Sequence, residues 1–208
     1  RYLEESLAIS RAIGDRAGKG VTLNNLSQIY KARGDYATAL RYLEESLAIR
    51  RAIGNRVGEG ATLNNLSTLY HARGDDGTAL RYLEESLAIS RAIGDRAGEG
   101  KTLNNLSQIY DARGDDATAL RYLEESLAIR RAIGDRAGLC PTLFNMGHIY
   151  WQKDEHQQAI ACWVEAYQIS KEIGYAETLA ALENLAKQIG GNGLEDWEQL
   201  SQQMESGE

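Results

Sequence analysis

The nonapeptide TLNNLSQIY at residues 22–30 returns as TLNNLSTLY at 62–70, as TLNNLSQIY at 102–110, and in altered form as TLFNMGHIY at 142–150. The spacing is 40 residues each time. A fixed period of that length belongs to repeat arrays, in which each unit hides its apolar face only against its neighbours. The chain therefore needs no single large core, and its function turns on the surface that the stacked units present.

Each repeat reads as two helices. Gly14 ends one helix and Asp15 caps the next; Gly34 and Asp35 repeat the pattern. Leu23, Leu26, Ile29 and Tyr30 fall at helical spacing in the first helix, and Ala39, Leu43, Leu47 and Ile53 do so in the second. Such short links make the two helices antiparallel. The full repeats are 15–54, 55–94, 95–134 and 135–174. Residues 1–14 repeat the second-helix string and read as an orphan second helix, cut from a longer array or once covered by a preceding helix. It is expected to expose Leu3, Leu7 and Ile13 and to offer a route to self-association. Residues 175–190 read as the first helix of a fifth unit. Residues 191–208 read as a capping helix and acidic tail, with Leu194, Trp197 and Leu200 packing on the helix before them.

Charge is uneven. Residues 15–54 carry seven basic and four acidic side chains, whereas 175–208 carry one basic and seven acidic. No basic face of the kind that neutralises phosphates is visible, so nucleic acid is not an expected partner. No apolar run is long enough to span a membrane. Cys140 and Cys162 are expected to be free thiols, which suits a reducing, cytoplasmic compartment. Three Asn-Leu-Ser triplets fall in mid-helix and are set aside as glycosylation sites.

Leu23, Leu26, Ser27, Tyr30, Gly34, Asp35, Ala39, Leu43 and Ser46 follow the spacing of the tetratricopeptide signature, as do Leu143, Met146, Gly147, Tyr150, Ala159, Trp163 and Ala166 in the fourth repeat. The chain resembles the tetratricopeptide repeat (TPR) family. The usual repeat is about 34 residues; this one is longer, and Arg51 stands where the family places proline. The 40-residue form with TLNNL resembles kinesin light chain, and the IGDR joint resembles spindle-orientation adaptors and bacterial TPR proteins. The resemblance implies an all-α fold, a right-handed TPR superhelix (an α-solenoid) of antiparallel helix pairs. It also implies a non-catalytic scaffold that holds an extended peptide or partner segment in a concave groove. Two alternatives stand beside it: a regulatory or sensor arm of a larger signalling or protease protein, and a self-assembling module.

At about 100° per residue, the side of the first helix opposite its apolar stripe carries a repeated row of amides. These are Asn25, Asn65, Asn105, Asn145 and Asn184, flanked by Asn24, Asn64, Asn104 and, in the fourth repeat, Phe144. A parallel row holds Gln28, Thr68, Gln108, His148 and Lys187, and a third holds Lys31, His71, Asp111 and Trp151. Amides offer donors and acceptors matched to a peptide backbone. In the families it resembles, the asparagine before Leu contacts ligand backbone, so these rows are the expected binding residues. The competing expectation is that the amides bond between helices and hold the stack. The carboxylate-clamp type of TPR needs a lysine where Asn24, Asn64, Asn104 and Phe144 stand, so a C-terminal carboxylate is not the expected ligand. GEGKT at 98–102 lacks the first glycine of a phosphate loop and follows a helix. The histidines have no metal spacing with the cysteines. No cofactor, metal or catalytic residue is expected.

Overall fold

The computed structural model describes residues 2–206, with the Glu205 side chain left aside. Among these residues the chain forms helices and no strands. The helices are α1 (Tyr2–Ala12), α2 (Arg16–Ala32), α3 (Tyr36–Ala52), α4 (Arg56–Ala72), α5 (Asp76–Ile93), α6 (Arg96–Ala112), α7 (Asp116–Ile133), α8 (Arg136–Gln152), α9 (His156–Ile173), α10 (Ala176–Gln188) and α11 (Leu194–Ser206). The chain divides into two compact units, 1–105 and 106–208, with the division inside α6.

Local chemistry sets the helix ends. The Asp15, Asp35 and Asn55 side chains accept the backbone N–H three residues on, at 2.9, 3.0 and 2.9 Å. This satisfies a donor that the first turn leaves open. Gly74 and Gly94 close their helices at φ 78° and 70°, a left-handed conformation that glycine adopts without steric cost. In the fourth repeat Asp154 takes that place at φ 60°.

In the amino-terminal unit, Ala39, Leu40, Leu43 and Leu47 of α3 pack with Leu63, Leu66 and Leu69 of α4 and Ile89 of α5. Two helices approach closely where Ser46 Oγ donates to the Gly20 carbonyl at 2.8 Å, and again where Ser86 Oγ donates to the Gly60 carbonyl at 3.0 Å. Glu59 is buried between Arg51 (2.9 Å) and Arg56 (2.6 Å), and Glu99 sits in the same way between Arg91 and Arg96. Tyr30 and Tyr42 meet edge to face at 5.5 Å, and Tyr70 and Tyr82 meet at 5.6 Å. The second helices alternate at one buried position, with Ser10, Arg50 and Ser90 here and Arg130 and Ser170 in the other unit. Arg50 and Arg130 both donate through Nε to the serine one turn earlier, at 3.2 Å. A methyl group on Gly58 or Gly138 would strike those guanidinium groups.

The expectation for the first helix needs correction. Leu7 is buried against Leu23, Leu26 and Ile49. Leu3 is half-buried, and Ile13 is exposed as expected, at 71%; Ile9 is exposed too, at 59%, where Ile49, Ile89, Ile129 and Ile169 are 3–8% exposed. Second helices use two faces, one on the next first helix and one on their own, and only the former has a partner in α1. Ile29 departs from its repeat for a related reason. It is 38% exposed, whereas Leu69, Ile109 and Ile149 are buried.

In the carboxy-terminal unit, Ala119, Leu120 and Leu123 pack with Met146 and Ile149. Beyond them Trp163 and Trp197 form the centre of a larger core with Leu143, Val164, Leu182 and Leu185. Trp163 stands where other repeats have leucine, and Gly147 stands where they have serine. A Cβ on Gly147 would lie 2.2 Å from Trp163 Nε1, so the larger ring requires the smaller partner. Trp197 of α11 donates from Nε1 to the Leu182 carbonyl at 2.8 Å, with Leu194 and Leu200 packed beside it. Glu198 is tied to Tyr167 and Lys171 of α9, which hold its carboxyl down at about 2. Replacing Trp197 with alanine should cost about 3–5 kcal/mol of stability. Urea unfolding of Trp197→Ala beside Trp197→Phe measures this, with the phenylalanine variant retaining most of the stability.

Candidate functional site

The expected binding rows lie on the first helices, and the structure sorts them into several environments. In the amino-terminal unit Asn25 and Gln28 of α2 are exposed, while Asn24, Lys31, Asn65, Thr68, His71 and Asn105 are half-buried. Asn65 donates from Nδ2 to Asn24 Oδ1 at 2.9 Å. Asn105 donates in the same way to Asn64 Oδ1 at 2.9 Å. Each of these second-place asparagines thus gives one N–H to the first helix before it. That bond fixes the amide while its oxygen and second N–H stay outside it.

Asn64 has a different role. It is 2% exposed, and its Nδ2 lies 3.2 Å from the Gly60 carbonyl, 2.7 Å from Ser86 Oγ and 2.9 Å from Thr102 Oγ1. This amide joins α4, α5 and α6 inside the stack. Asn104 is likewise buried. The placement of Asn64 and Asn104 beside an open groove is therefore corrected. Asn64 turns toward the second helix, where its buried amide finds a partner in Ser86. The signal was present in the paired asparagines and in the serine at position 86, a small polar residue in an otherwise apolar stripe.

Position 31 and its equivalents diverge most. Lys31 is half-buried, and burial lowers its pKa. His71 is engaged within its own hairpin, with Nδ1 2.6 Å from Asp76 Oδ1.

In the carboxy-terminal unit, Ser107, Gln108 and Asp111 of α6 face Asn145, His148, Ile149 and Gln152 of α8 across a cleft of about 250 Å³. Asp111 is half-buried, and its Oδ1 is shut from solvent with no hydrogen-bond partner. Burial is the main cause of its raised pKa, the Asp116 charge adds to it, and His148 opposes it. Burial lowers the His148 pKa, against the pull of Asp111. His148 also stacks edge to face on Phe144 at 4.6 Å and on Trp163 at 5.6 Å. Trp151 lies 5.5 Å from Trp163 and 4.2 Å from His156. The aromatic residues of the fourth repeat are thus continuous with the buried core through Trp163, which donates to the Phe144 carbonyl at 3.1 Å. Asn184 and Lys187 of α10 are exposed, and Lys187 pairs with Glu183 at 2.6 Å.

Residues 98–102 lie within α6. Gly98 N–H is taken by Asp95 at 2.9 Å, and Thr102 bonds back to the Gly98 carbonyl at 2.8 Å, so the string forms no phosphate-cradling loop. Among the described residues no three His, Cys, Asp or Glu side chains come together to hold a metal, and no helix is long and apolar enough to cross a membrane. Cys140 is buried, and burial pushes the Cys162 thiol up to about 11.

Two family models, both described as tetratricopeptide repeat, match the chain, one at residues 1–52 and 54–132 and the other at 141–172. Among solved structures, aspartyl phosphate phosphatase F from Bacillus subtilis is similar, with a TM-score of 0.75 at 14% identity over 88% of this chain and 48% of that one. NprR in complex with its cognate peptide NprX gives 0.66 at 20% identity, over 98% of this chain and 60% of that one. A Podosopora anserina protein of kinesin-light-chain type with nearly identical TPR-like repeats gives 0.58 at 20% identity, over 82% and 85%. These likenesses are of fold. The chain spans about half of the phosphatase and three fifths of NprR. No curated protein matches it.

The two kinds of asparagine should separate in unfolding experiments. Asn64→Ala strands several buried polar groups and should cost about 2–3 kcal/mol, whereas Asn25→Ala should change stability by less than about 0.5 kcal/mol. The pH dependence of stability should carry a mark of His148. Because its folded pKa is depressed, the unfolded chain takes up this proton first. Stability should therefore be lost as pH falls from the ordinary histidine value of 6.5 toward the folded one. Melting curves between pH 7.5 and 5.5 should be flatter for His148→Gln than for the unaltered chain.

Proposed function

The chain belongs to the tetratricopeptide repeat family, and on that premise we propose that it is a non-catalytic, cytoplasmic interaction scaffold whose first-helix faces hold an extended peptide or partner segment. The observation that carries this reading is the pair Asn65 and Asn105. Each is held by one N–H on the preceding first helix and keeps its remaining amide groups for a ligand. Pre-set donors and acceptors of this kind bind with little loss of side-chain freedom. Exposed Asn25, Gln28, Gln108, Asn184 and Lys187 extend the same rows, with Thr68, Asn145 and Trp151 beside them. NprR, similar in fold, was solved with a peptide, which supports a peptide as the ligand class. The share of NprR that the chain spans also fits a regulatory arm of a larger protein.

A second reading rests on Ile9. Its exposure, against the burial of its four counterparts, supports self-association through α1. Light scattering showing that Ile9→Lys abolishes a concentration-dependent dimer would favour it; a monomer at all concentrations would remove it.

The groove reading is tested with peptides selected from a random library on the intact chain. Asn25→Ala combined with Gln28→Ala should weaken their binding roughly tenfold or more, since each lost hydrogen bond is worth about 0.5–1.5 kcal/mol, while the melting temperature stays unchanged. Binding unaffected by the pair would remove these rows as the site. Asn65→Ala should lower affinity and stability together, because it serves both the stack and the ligand.

A further inference from the structure

The cleft between α6 and α8 contains a carboxylate that the chain itself does not satisfy. Asp111 Oδ1 is closed to solvent and has no hydrogen-bond partner, and an unmet buried acceptor is costly. The residues that line the cleft with it are Ser107, Gln108, Asn145, His148, Ile149 and Gln152, none of them lysine or arginine.

The preceding repeat shows how this register is satisfied from within. There His71 meets Asp76 at 2.6 Å, a donor against a carboxylate. In the third repeat both places hold acids, Asp111 and Asp116, and the Asp116 charge acts on Asp111 as a like charge. The nearby cation Lys153 is paired with Glu155 at 2.7 Å. Where the second repeat has a donor, the third has an acid. Across the cleft from Asp111, His148 is backed by the Phe144 and Trp163 rings.

We propose that this cleft is the subsite for an arginine side chain of the bound segment, with the half-buried Asp111 carboxylate turning to present its unmet oxygen to the guanidinium and His148 forming the wall beside it. The proposal rests on the peptide-groove reading and names the ligand chemistry of one part of it. Arginine is favoured over lysine because the guanidinium is planar, weakly hydrated and able to give two parallel N–H donors while stacking on a ring. Gln108 and Gln152 lie at the rim with amide oxygens that can take the remaining donors.

The probe is N-acetyl-arginine methylamide, titrated into the full chain while the His148 imidazole signals are followed by NMR. The citrulline derivative, neutral and nearly the same shape, is the control. Arginine should shift the His148 signals saturably, and citrulline should bind at least tenfold more weakly. Asp111→Asn, which removes charge but little volume, should weaken arginine binding roughly tenfold or more. Gln108→Lys, which places a cation at the rim, should abolish it and keeps the test available should Asp111→Asn fail to fold. An equal response to citrulline, or arginine binding untouched by either substitution, overturns the proposal. Failure of the groove reading looks different. Library peptides that bind and respond to Asn25→Ala, yet keep their affinity when arginine is replaced by citrulline, sink the subsite and leave the groove. Arginine bound in the cleft with no library peptide bound at all keeps the cation site and sinks the groove.

Discussion

The close approach of two helices at Gly60 and Ser86 is the constraint on which the amino-terminal unit depends. The second helix lies against the first at this level with the small side chain of Ser86 over the backbone of Gly60. Closeness creates a polar problem, since the Gly60 carbonyl, the Ser86 hydroxyl and the Asn64 amide are all removed from water. They satisfy one another, and Thr102 brings α6 into the same network. A network with every member bonded fixes one arrangement of helices, because sliding any of them strands several groups at once. The outer amides are set by this buried core: Asn105 is oriented by its bond to the oxygen of Asn64.

The fourth repeat solves the same geometric problem with bulk. Phe144 replaces the buried asparagine, Trp163 replaces leucine, and Gly147 gives up its side chain to admit the indole. The tryptophan N–H then does a job that a serine hydroxyl does elsewhere, bonding across the hairpin to a main-chain carbonyl. The exchange changes the outer surface as well. His148, which stacks on the Phe144 and Trp163 rings of the hairpin, also lines the cleft that Asp111 faces, so core and cleft wall are continuous here.

The helices and their caps were legible because period, capping residues and left-handed glycines are local signals. The all-α, paired-helix fold follows from them, and the family models agree with it. The amide rows were legible as positions but not as environments. A helical wheel puts Asn24 and Asn25 about 100° apart, which is too coarse to tell a groove edge from an interhelical seam. The difference depends on how deeply Ser86 lets α5 approach, and that is a tertiary quantity. The orphan helix misled for a similar reason. Leu7 and Ile9 are both apolar, and only the packing shows which one faces an existing neighbour. The unmet carboxylate of Asp111 was hidden still further, since it depends on an acid standing where the preceding repeat has its histidine donor, with a second acid across the hairpin. Comparison of His71 and Asp76 with Asp111 and Asp116 along the sequence contained the hint.

The alternation of serine and arginine at the buried second-helix position has an ancestral meaning. The repeat starting at residue 15 differs from the one starting at 95 at four of 40 positions, but from its immediate successor at ten. The likeness therefore recurs at every second repeat, 80 residues apart, although the repeats starting at 55 and 135 share only 12 of 40 positions. A pair of repeats carries both versions of the joint, so a duplicated block meets its neighbour with matching chemistry at each end. Unequal crossing-over within such a gene would lengthen or shorten the array two repeats at a time, and a descendant with an odd insertion would have to redesign a joint before it could fold well.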